Sequence, residues 1–319
     1  MAKKGIATVE HVGVVMDNLA GARQLFHEKL RLPIAEMSGP DGEAFAVKAG
    51  DTVIRVASTD SADAQRGRRG VSHVAFKVPS LAALDAPFAE AGVRKLEGVN
   101  KGAGGRKAVW TDPATTIGIP LQFVEETARL DFKPAPGKAL VERVDHLGIA
   151  CHDGRRAHEI FVDSFGWPLE STQTDSEFLI PVEVTSNDRH GATSHTRPPI
   201  AAVGSGLIAL FVTVGDFDLE IMQPLGAAKL SAPLGSIPGS VGQDQGAIAR
   251  ALEKRGEGLL HIGFKTLDMQ HAIDTVTSQG IRMIDPVARP GGRNSRIAYM
   301  DRRSTEGILL HFVGRTPLD

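Results

Sequence analysis

Four polar side chains in the C-terminal half of this sequence could together hold a metal ion. Each lies inside an otherwise apolar, strand-like run, and the four are His146, Glu220, His261 and His311. Imidazole nitrogen and carboxylate oxygen together suit Zn, Fe, Co, Ni or Mn. If the strands bring these side chains to one place, the sequence predicts one site for one divalent metal ion.

The geometry of a β-strand predicts which neighbours share a face with these residues. Alternate residues of a strand point to the same side of a sheet. We therefore expect His146 to point with Val144 and Gly148, and His261 to point with Leu259. The residues between them should face away from the site.

The strands that carry histidines belong to a unit that occurs four times along the chain. The similar runs are VEHVGVV around His11, VSHVAFKV around His73, VDHLGIAC around His146 and LLHIGFKT around His261. A helical pattern follows each run. Each helix is predicted to begin after an N-cap residue whose side-chain oxygen can accept a hydrogen bond from a helix N–H. These N-cap residues are Asn18, Ser80, Asp153 and Asp268. Strand-like alternation follows each helix, which predicts a β-α-β-β-β unit.

A linker divides the four units into two pairs. Residues 127–140, TARLDFKPAPGKAL, carry two prolines and one glycine without an apolar period. We predict an α+β fold with two domains, residues 1–126 and 141–319, each with its own core. In each domain two β-α-β-β-β units would form a cup-shaped mixed sheet with flanking helices, because only a curled sheet lets four inward faces converge.

The N-terminal pair of units repeats the pattern with different side chains. The positions that correspond to the C-terminal set carry His11, Arg55, His73 and Gln122. An arginine cannot ligate a cation and repels one at short range. We therefore predict that this domain binds no metal and serves as a scaffold, an interface or a regulatory pocket.

The third unit is longer than the first. From His146 to Glu220 is 74 positions, whereas from His11 to Arg55 is 44, so the third unit has 30 more residues. We place them in the polar run SNDRHGATSHTRPPIAAVGSG, a predicted loop of the kind that often covers a binding site. His190 and His195 in this loop are candidate substrate-binding residues.

Composition favours a small-molecule substrate. Lys and Arg total 36 against 38 Asp and Glu, so nothing points to nucleic acid as a partner. The single cysteine excludes an internal disulfide and fits the cytoplasm, and no apolar run predicts a membrane span. Phosphate-loop, dinucleotide and serine-hydrolase motifs do not occur in the sequence.

The repeated unit resembles the vicinal oxygen chelate superfamily, which includes glyoxalase I, methylmalonyl-CoA epimerase and the extradiol dioxygenases. The C-terminal half is most similar to methylmalonyl-CoA epimerase in the order of the runs FDLEIMQPLG, IARALEKRGEGLLHIGFKT and ARPGGRNSRIAYMDRRSTEGILLHFVG. The resemblance places metal-facing positions at His146, Glu220, His261 and His311. The family carries glutamate on the last strand, where this sequence has His311.

The resemblance implies a metal-dependent isomerase, epimerase or lyase that acts next to a carbonyl whose oxygen binds the metal. An acyl-CoA thioester is one candidate substrate. Candidate bases are Glu220, Glu183 and His311. Arg289 and Arg293, in the run RPGGRNSR, are candidates for binding a phosphate or carboxylate of the substrate.

Two alternatives and the oligomeric state stay open at this point. A non-haem Fe(II) dioxygenase of the extradiol type would use His146, His261 and His311, with Tyr299 and the loop histidines as acid or base groups. A ligand-binding protein without turnover is the third possibility. Proteins of this layout often pair through domain faces, so a homodimer is a further expectation.

Overall fold

The structure is a computed structural model with two mixed β-sheets. It describes residues 6–37, 42–61, 67–98, 101–102, 105–177, 182–187, 191–196, 205–225 and 246–315. The strands of the first sheet are β1 (Thr8–Met16), β2 (Ile34–Met37), β3 (Ala44–Ala49), β4 (Thr52–Ser58), β5 (Gly70–Lys77), β6 (Ala108–Trp110) and β7 (Leu121–Val124). Those of the second are β8 (Arg143–Ala150), β9 (Leu169–Glu177), β10 (Val182–Asn187), β11 (Gly191–Thr196), β12 (Ser205–Val214), β13 (Phe217–Leu225), β14 (Gly258–Lys265), β15 (Arg289–Gly291), β16 (Ser295–Tyr299) and β17 (Leu309–Arg315).

Both sheets combine two units in the same way. The strand orders are β2-β3-β4-β1-β5-β7-β6 and β11-β10-β9-β12-β13-β8-β14-β17-β16-β15. The first strand of every unit pairs in parallel with the last strand of its unit, as in β8 with β13 and β14 with β17. The two units of a sheet meet through an antiparallel pair, β1 with β5 or β8 with β14. The predicted α+β fold class is confirmed.

Short helices follow the first strand of each unit, as predicted. They are α1 (Leu19–Arg23), α2 (Asp85–Ala91), α3 (Gly154–His158) and α5 (Met269–Ser278), and α4 (Gly246–Arg255) is an additional helix before β14. The predicted caps form: the Asn18 side chain accepts from the Gly21 N–H and the Asp268 side chain from the His271 N–H. After α1 and α3 the chain continues in π-helical segments, Gln24–Lys29 and Glu159–Ser164.

The two halves share one hydrophobic core. A single cluster of buried side chains runs through both sheets. The ring of Phe76 lies 4.8 Å from that of Trp167, and Phe88 lies 5.8 Å from Phe165. Helices and sheets of both halves therefore exclude water from a common interior. The division of the chain into two domains, each with its own core, stays a prediction. Residues 125–142 between the sheets hold no helix or strand apart from a bridge between Lys133 and Ile34.

Part of the predicted loop of the third unit is β-structure. Strands β10 and β11 form an antiparallel pair that extends the second sheet at its edge. β10 lies mostly before the predicted loop, whereas β11 lies within it. The β11 sequence GATSHT lacks the apolar alternation expected of a strand that covers a core, which is why the sequence suggested a loop there. Backbone positions Glu183 and His195 pair across β10 and β11, whereas His190 lies outside the described residues.

The helices of the described chain are short. None of them combines the length and apolar character that a membrane-crossing helix needs.

Candidate metal centre

Four neighbouring strands of the second sheet carry the four predicted metal ligands. In the order β13-β8-β14-β17 these strands hold Glu220, His146, His261 and His311. The Nε2 atoms of His146 and His261 lie 3.2 Å apart, and Glu220 Oε2 lies 3.3 Å from each of them. One nitrogen of His311 lies within 4.8 Å of the other two imidazoles. The curvature of the sheet thus brings together side chains that are up to 165 positions apart in the sequence (146 to 311).

The distances between these atoms fit a shared cation. Two ligand atoms about 2.1 Å from one metal ion lie about 3.0 to 3.4 Å apart when they subtend between a right angle and the tetrahedral angle. The triangle formed by His146, His261 and Glu220 has sides of 3.2 to 3.3 Å. Without a cation or a proton between them, the two imidazole lone pairs and the carboxylate would repel one another.

The protonation states of the site favour metal binding at neutral pH. Burial lowers the pKa of His261 and lowers that of His311 well below its ordinary value, so both imidazoles are neutral. Burial alone would raise the pKa of Glu220, but His146, the hydrogen bond with His261 and the charge of Arg293 bring it down to about 2. The Nδ1 atom of His311 is buried and has no hydrogen-bond partner among the described residues. Three imidazoles and one carboxylate are a suitable donor set for a divalent ion.

Asp145 fixes the orientation of His146, although it was not among the site residues predicted from the sequence. The Nδ1–H of His146 donates to Asp145 Oδ1 at 2.9 Å, and Arg315 donates to both carboxylate oxygens at 2.6 and 2.9 Å. Burial would raise the pKa of Asp145, but Arg315 and His146 lower it well below its ordinary value. The carboxylate therefore holds the Nδ1 proton and leaves Nε2 available as a ligand atom.

Two β-bulges explain why strict alternation gave wrong neighbours. Asp145 is the extra residue between the pairs Gly263–His146 and Phe264–Val144, so Val144 turns into the core and not towards the site. Leu260 is the extra residue between Leu259 and His261, so Leu260 faces the site cavity while Leu259 packs in the core. A bulge places two residues opposite one and re-aims the side chains beside it.

Two glycines make room for the imidazole rings. A Cβ atom on Gly148 would lie 2.0 Å from Cε1 of His261, and one on Gly263 would lie 2.6 Å from Cε1 of His146. Each glycine stands two residues after a metal-site histidine, in the runs HLG and HIG. The recurring His-x-Gly spacing in the sequence was the available signal for this packing.

Tyr299 and His311 lie together beside the triangle. Their rings are 4.2 Å apart, and the Tyr299 ring is 5.8 Å from that of His261. Burial, followed by the charge of Glu220, raises the pKa of Tyr299, so the phenol is protonated. Tyr299 is therefore placed to donate a hydrogen bond to a ligand in the site.

The two arginines predicted to bind substrate already have carboxylate partners. Arg289 pairs with Asp285 at 2.9 Å and lies over the Tyr299 ring. Arg293 pairs with Asp218 at 2.7 Å and with Glu170 at 2.9 Å. Both line the cavity, so they shape its wall through these ion pairs. Their contact with a substrate stays a prediction.

A cavity of about 660 Å³ opens onto the four predicted ligands. Its wall is apolar in one part, with Phe211, Leu260 and Ile284, and basic in another, with residues of α4 and Arg302. The volume is that of a pocket for a small organic molecule. Glu183 and His195 lie on strands separated from β13 by β9 and β12, so their participation in this site stays a prediction.

Residues 145–299 match the sequence model of a protein family described as the glyoxalase/bleomycin resistance protein/dioxygenase superfamily. This part of the chain belongs to that superfamily. The predicted superfamily is thus confirmed, and its enzymes include both epimerases and dioxygenases.

Two known proteins and one solved structure are similar to this chain. An uncharacterized protein of Bacillus subtilis, YqjC, is 22% identical over 170 residues, which are 53% of this chain and 90% of that protein. A mitochondrial methylmalonyl-CoA epimerase of Dictyostelium discoideum is 24% identical over 113 residues, 35% of this chain and 58% of the epimerase. A mutant 4-hydroxymandelate synthase from Streptomyces coelicolor has a TM-score of 0.58 at 13% identity, covering 99% of this chain and 94% of that chain. This last similarity shows a common fold over the whole length.

The N-terminal sheet contains a modified copy of this arrangement of side chains. The Nε2 atoms of His11 and His73 lie 3.1 Å apart, and Glu10 contacts His11 Nδ1 while Arg106 pairs with Glu10 at 2.9 Å. Arg55 and Gln122, the other two members of this set, are both buried. The orienting carboxylate is therefore repeated along with the histidine pair, but a guanidinium replaces the carboxylate of Glu220. That this copy binds no metal stays a prediction.

We expect Asp145→Asn to weaken metal binding about 10- to 100-fold, because an amide is a weaker partner for the His146 ring and for Arg315. Competition with a chromogenic chelator would measure the affinity. The matched control is Glu10→Gln, which makes the same chemical change in the N-terminal copy and should leave the affinity unchanged. Equal affinities for wild type and Asp145→Asn would contradict the assigned role of Asp145.

Proposed function

We propose that this protein is a divalent-metal-dependent isomerase, epimerase or lyase that moves a proton next to a carbonyl group. The observation that carries the proposal is the convergence of the Nε2 atoms of His146 and His261 with Oε2 of Glu220, at 3.2 to 3.3 Å. The similarity over 113 residues to a methylmalonyl-CoA epimerase supports proton transfer as the reaction class.

Each residue of the site has a separate role in this reaction. His146, Glu220 and His261 would hold the metal ion, with His311 beside them. When bound, the cation supplies Lewis acidity that polarises a substrate oxygen and favours loss of the neighbouring proton. Tyr299 donates a hydrogen bond from its protonated phenol, and the apolar side of the cavity limits access of water.

His311 is the proton carrier that we favour. Oε2 of Glu220 is engaged with His146 and His261 at 3.3 Å, whereas the neutral His311 has a buried Nδ1 without a hydrogen-bond partner among the described residues. His311 also occupies the last strand, where the related enzymes carry glutamate. In this arrangement the imidazole accepts the proton from the substrate carbon and returns it to the same or the adjacent carbon.

The test is metal-dependent exchange of the substrate α-proton in deuterated water. A panel of 2-substituted acyl-CoA thioesters would be followed by NMR with the metal-loaded protein. We expect exchange with wild type, loss of exchange with His311→Ala, and recovery of exchange with His311→Glu, which restores the carboxylate of the related enzymes. Absence of exchange across the panel would contradict the proposal.

A second candidate, a non-haem Fe(II) oxygenase, is favoured by one specific observation. Two imidazoles and one carboxylate arranged in a near-equilateral triangle are the ligand set of such enzymes. The carboxylate of this set is Glu220, and not a residue of the last strand. Oxygen uptake that depends on added Fe(II) in the same substrate panel, without α-exchange, would select this candidate over the isomerase.

A further inference from the structure

Two arginines of the cavity wall lie near a third arginine, which comes from the N-terminal half of the chain. Arg68 precedes β5 in the N-terminal half, Arg255 is the last residue of α4, and Arg302 begins the 3-10 turn before β17. Arg255 and Arg302 line the cavity. A Cβ atom on Gly256 would lie 3.7 Å from Nη2 of Arg68, so the Arg68 guanidinium reaches the end of α4. We refer to these residues as the arginine cluster.

The arginine cluster has no carboxylate partner within the part of the chain that the structure describes. Its neighbours in sequence behave differently: Arg69 pairs with Asp17, and Arg303 pairs with Asp301 at 2.7 Å. The nearby carboxylate of Glu257 accepts from the backbone N–H of His152. In each of the sequence pairs Arg68-Arg69 and Arg302-Arg303, the second arginine forms an ion pair with an acid and the first belongs to the cluster.

The positive charges of the cluster lower the pKa values of neighbouring cluster members and of a histidine in the metal centre. Burial and then the charge of Arg255 lower the pKa of both Arg68 and Arg302. The charge of Arg302 also contributes to the low pKa of His261. A bound anion would relieve this repulsion while lying in the same cavity as the four predicted ligands.

We propose that the arginine cluster binds a phosphate group of the substrate, at the end remote from the reacting carbonyl. A carboxylate is satisfied by one guanidinium, whereas a phosphate offers three oxygens and up to two negative charges that several guanidinium groups can share. Because it names the class of substrate, this proposal rests on the proposed function. Phosphate binding itself can be measured without turnover. It also gives the N-terminal half a direct role in the site through Arg68.

The test is calorimetric titration of the metal-loaded full chain with phenyl phosphate. We expect saturable binding that weakens as salt is added, and a loss of affinity of about tenfold or more in each of Arg68→Met, Arg255→Met and Arg302→Met. Arg69→Met and Arg303→Met are matched controls that should bind as wild type does. Benzoate, which carries a single negative charge, should bind more weakly than phenyl phosphate.

Several outcomes would overturn the proposal. These are no binding by wild type, equal affinity for benzoate, or unchanged affinity in all three cluster variants. Repeating the titration with His261→Ala separates the two proposals: phosphate binding that persists there supports the cluster even if α-exchange is never found. Comparison with adenosine 3′,5′-bisphosphate indicates whether the phosphate belongs to a small substrate or to a nucleotide carrier, and binding of either supports the cluster.

Discussion

Replacing Glu220 by alanine is expected to weaken metal binding by at least about 100-fold, which is the upper end of the effect of losing a residue that only orients a ligand. Glu220 supplies the single carboxylate of the triangle, and its Oε2 lies 3.3 Å from both His146 and His261. Without it, the charge of a divalent ion faces only imidazoles and nearby arginines. Chelator competition would measure the affinity, and α-exchange or oxygen uptake would fall in parallel.

The matched control for Glu220→Ala is Glu142→Ala. Glu142 forms an ion pair with Lys265 at 2.9 Å and does not line the cavity, so its loss should leave metal affinity and turnover unchanged. Unaltered metal affinity in Glu220→Ala would mean that the carboxylate approaches the histidines without serving as a ligand. The proposed site would then reduce to three imidazoles.

Replacing Gly148 by alanine is expected to remove metal binding by displacing a ligand and not by deleting one. The added methyl group would stand 2.0 Å from Cε1 of His261, so the imidazole must leave its position. Overpacking of this kind costs about 1 to 3 kcal/mol of stability. We expect metal affinity to fall at least about 100-fold, beyond the effect of losing an outer-shell partner.

The N-terminal copy supplies a closely matched control for this substitution. A Cβ atom on Gly13 would lie 2.0 Å from Cε1 of His73, which is the same clash in the other sheet. Gly13→Ala should lower the unfolding temperature by a similar amount and leave the metal content unchanged. If both variants bind metal as wild type does, the His261 ring does not hold the metal in the position described.

Periodicity and repetition were sufficient to predict the framework of the fold. Four similar strands, each followed by a capped helix, gave two mixed sheets, because the apolar faces of successive units can be buried only against one another. The same repetition located Glu220 and the three histidines. Their predicted convergence required that the ligand strands be neighbours, and they are, in the order β13-β8-β14-β17.

The features that the sequence did not reveal depend on local departures from regular strands or on contacts between distant segments. Asp145 precedes His146 and would face away from it in a regular strand, but a bulge turns the two towards each other. The arginine cluster was equally hidden, since Arg68 lies in a charged run that reads as an exposed loop. Only the folded chain places Arg68 beside Arg255 at the end of α4.

The metal content of the purified protein tests the central claim most directly. Elemental analysis should find about one equivalent of a divalent metal in wild type and in His73→Ala, and almost none in His261→Ala. His73 and His261 hold corresponding positions in the two sheets, so the comparison separates loss of a ligand from loss of a buried histidine. Equal metal content in all three proteins, or none in wild type after growth and reconstitution with Zn, Fe, Co, Ni and Mn, would contradict a metal centre at His146, Glu220, His261 and His311.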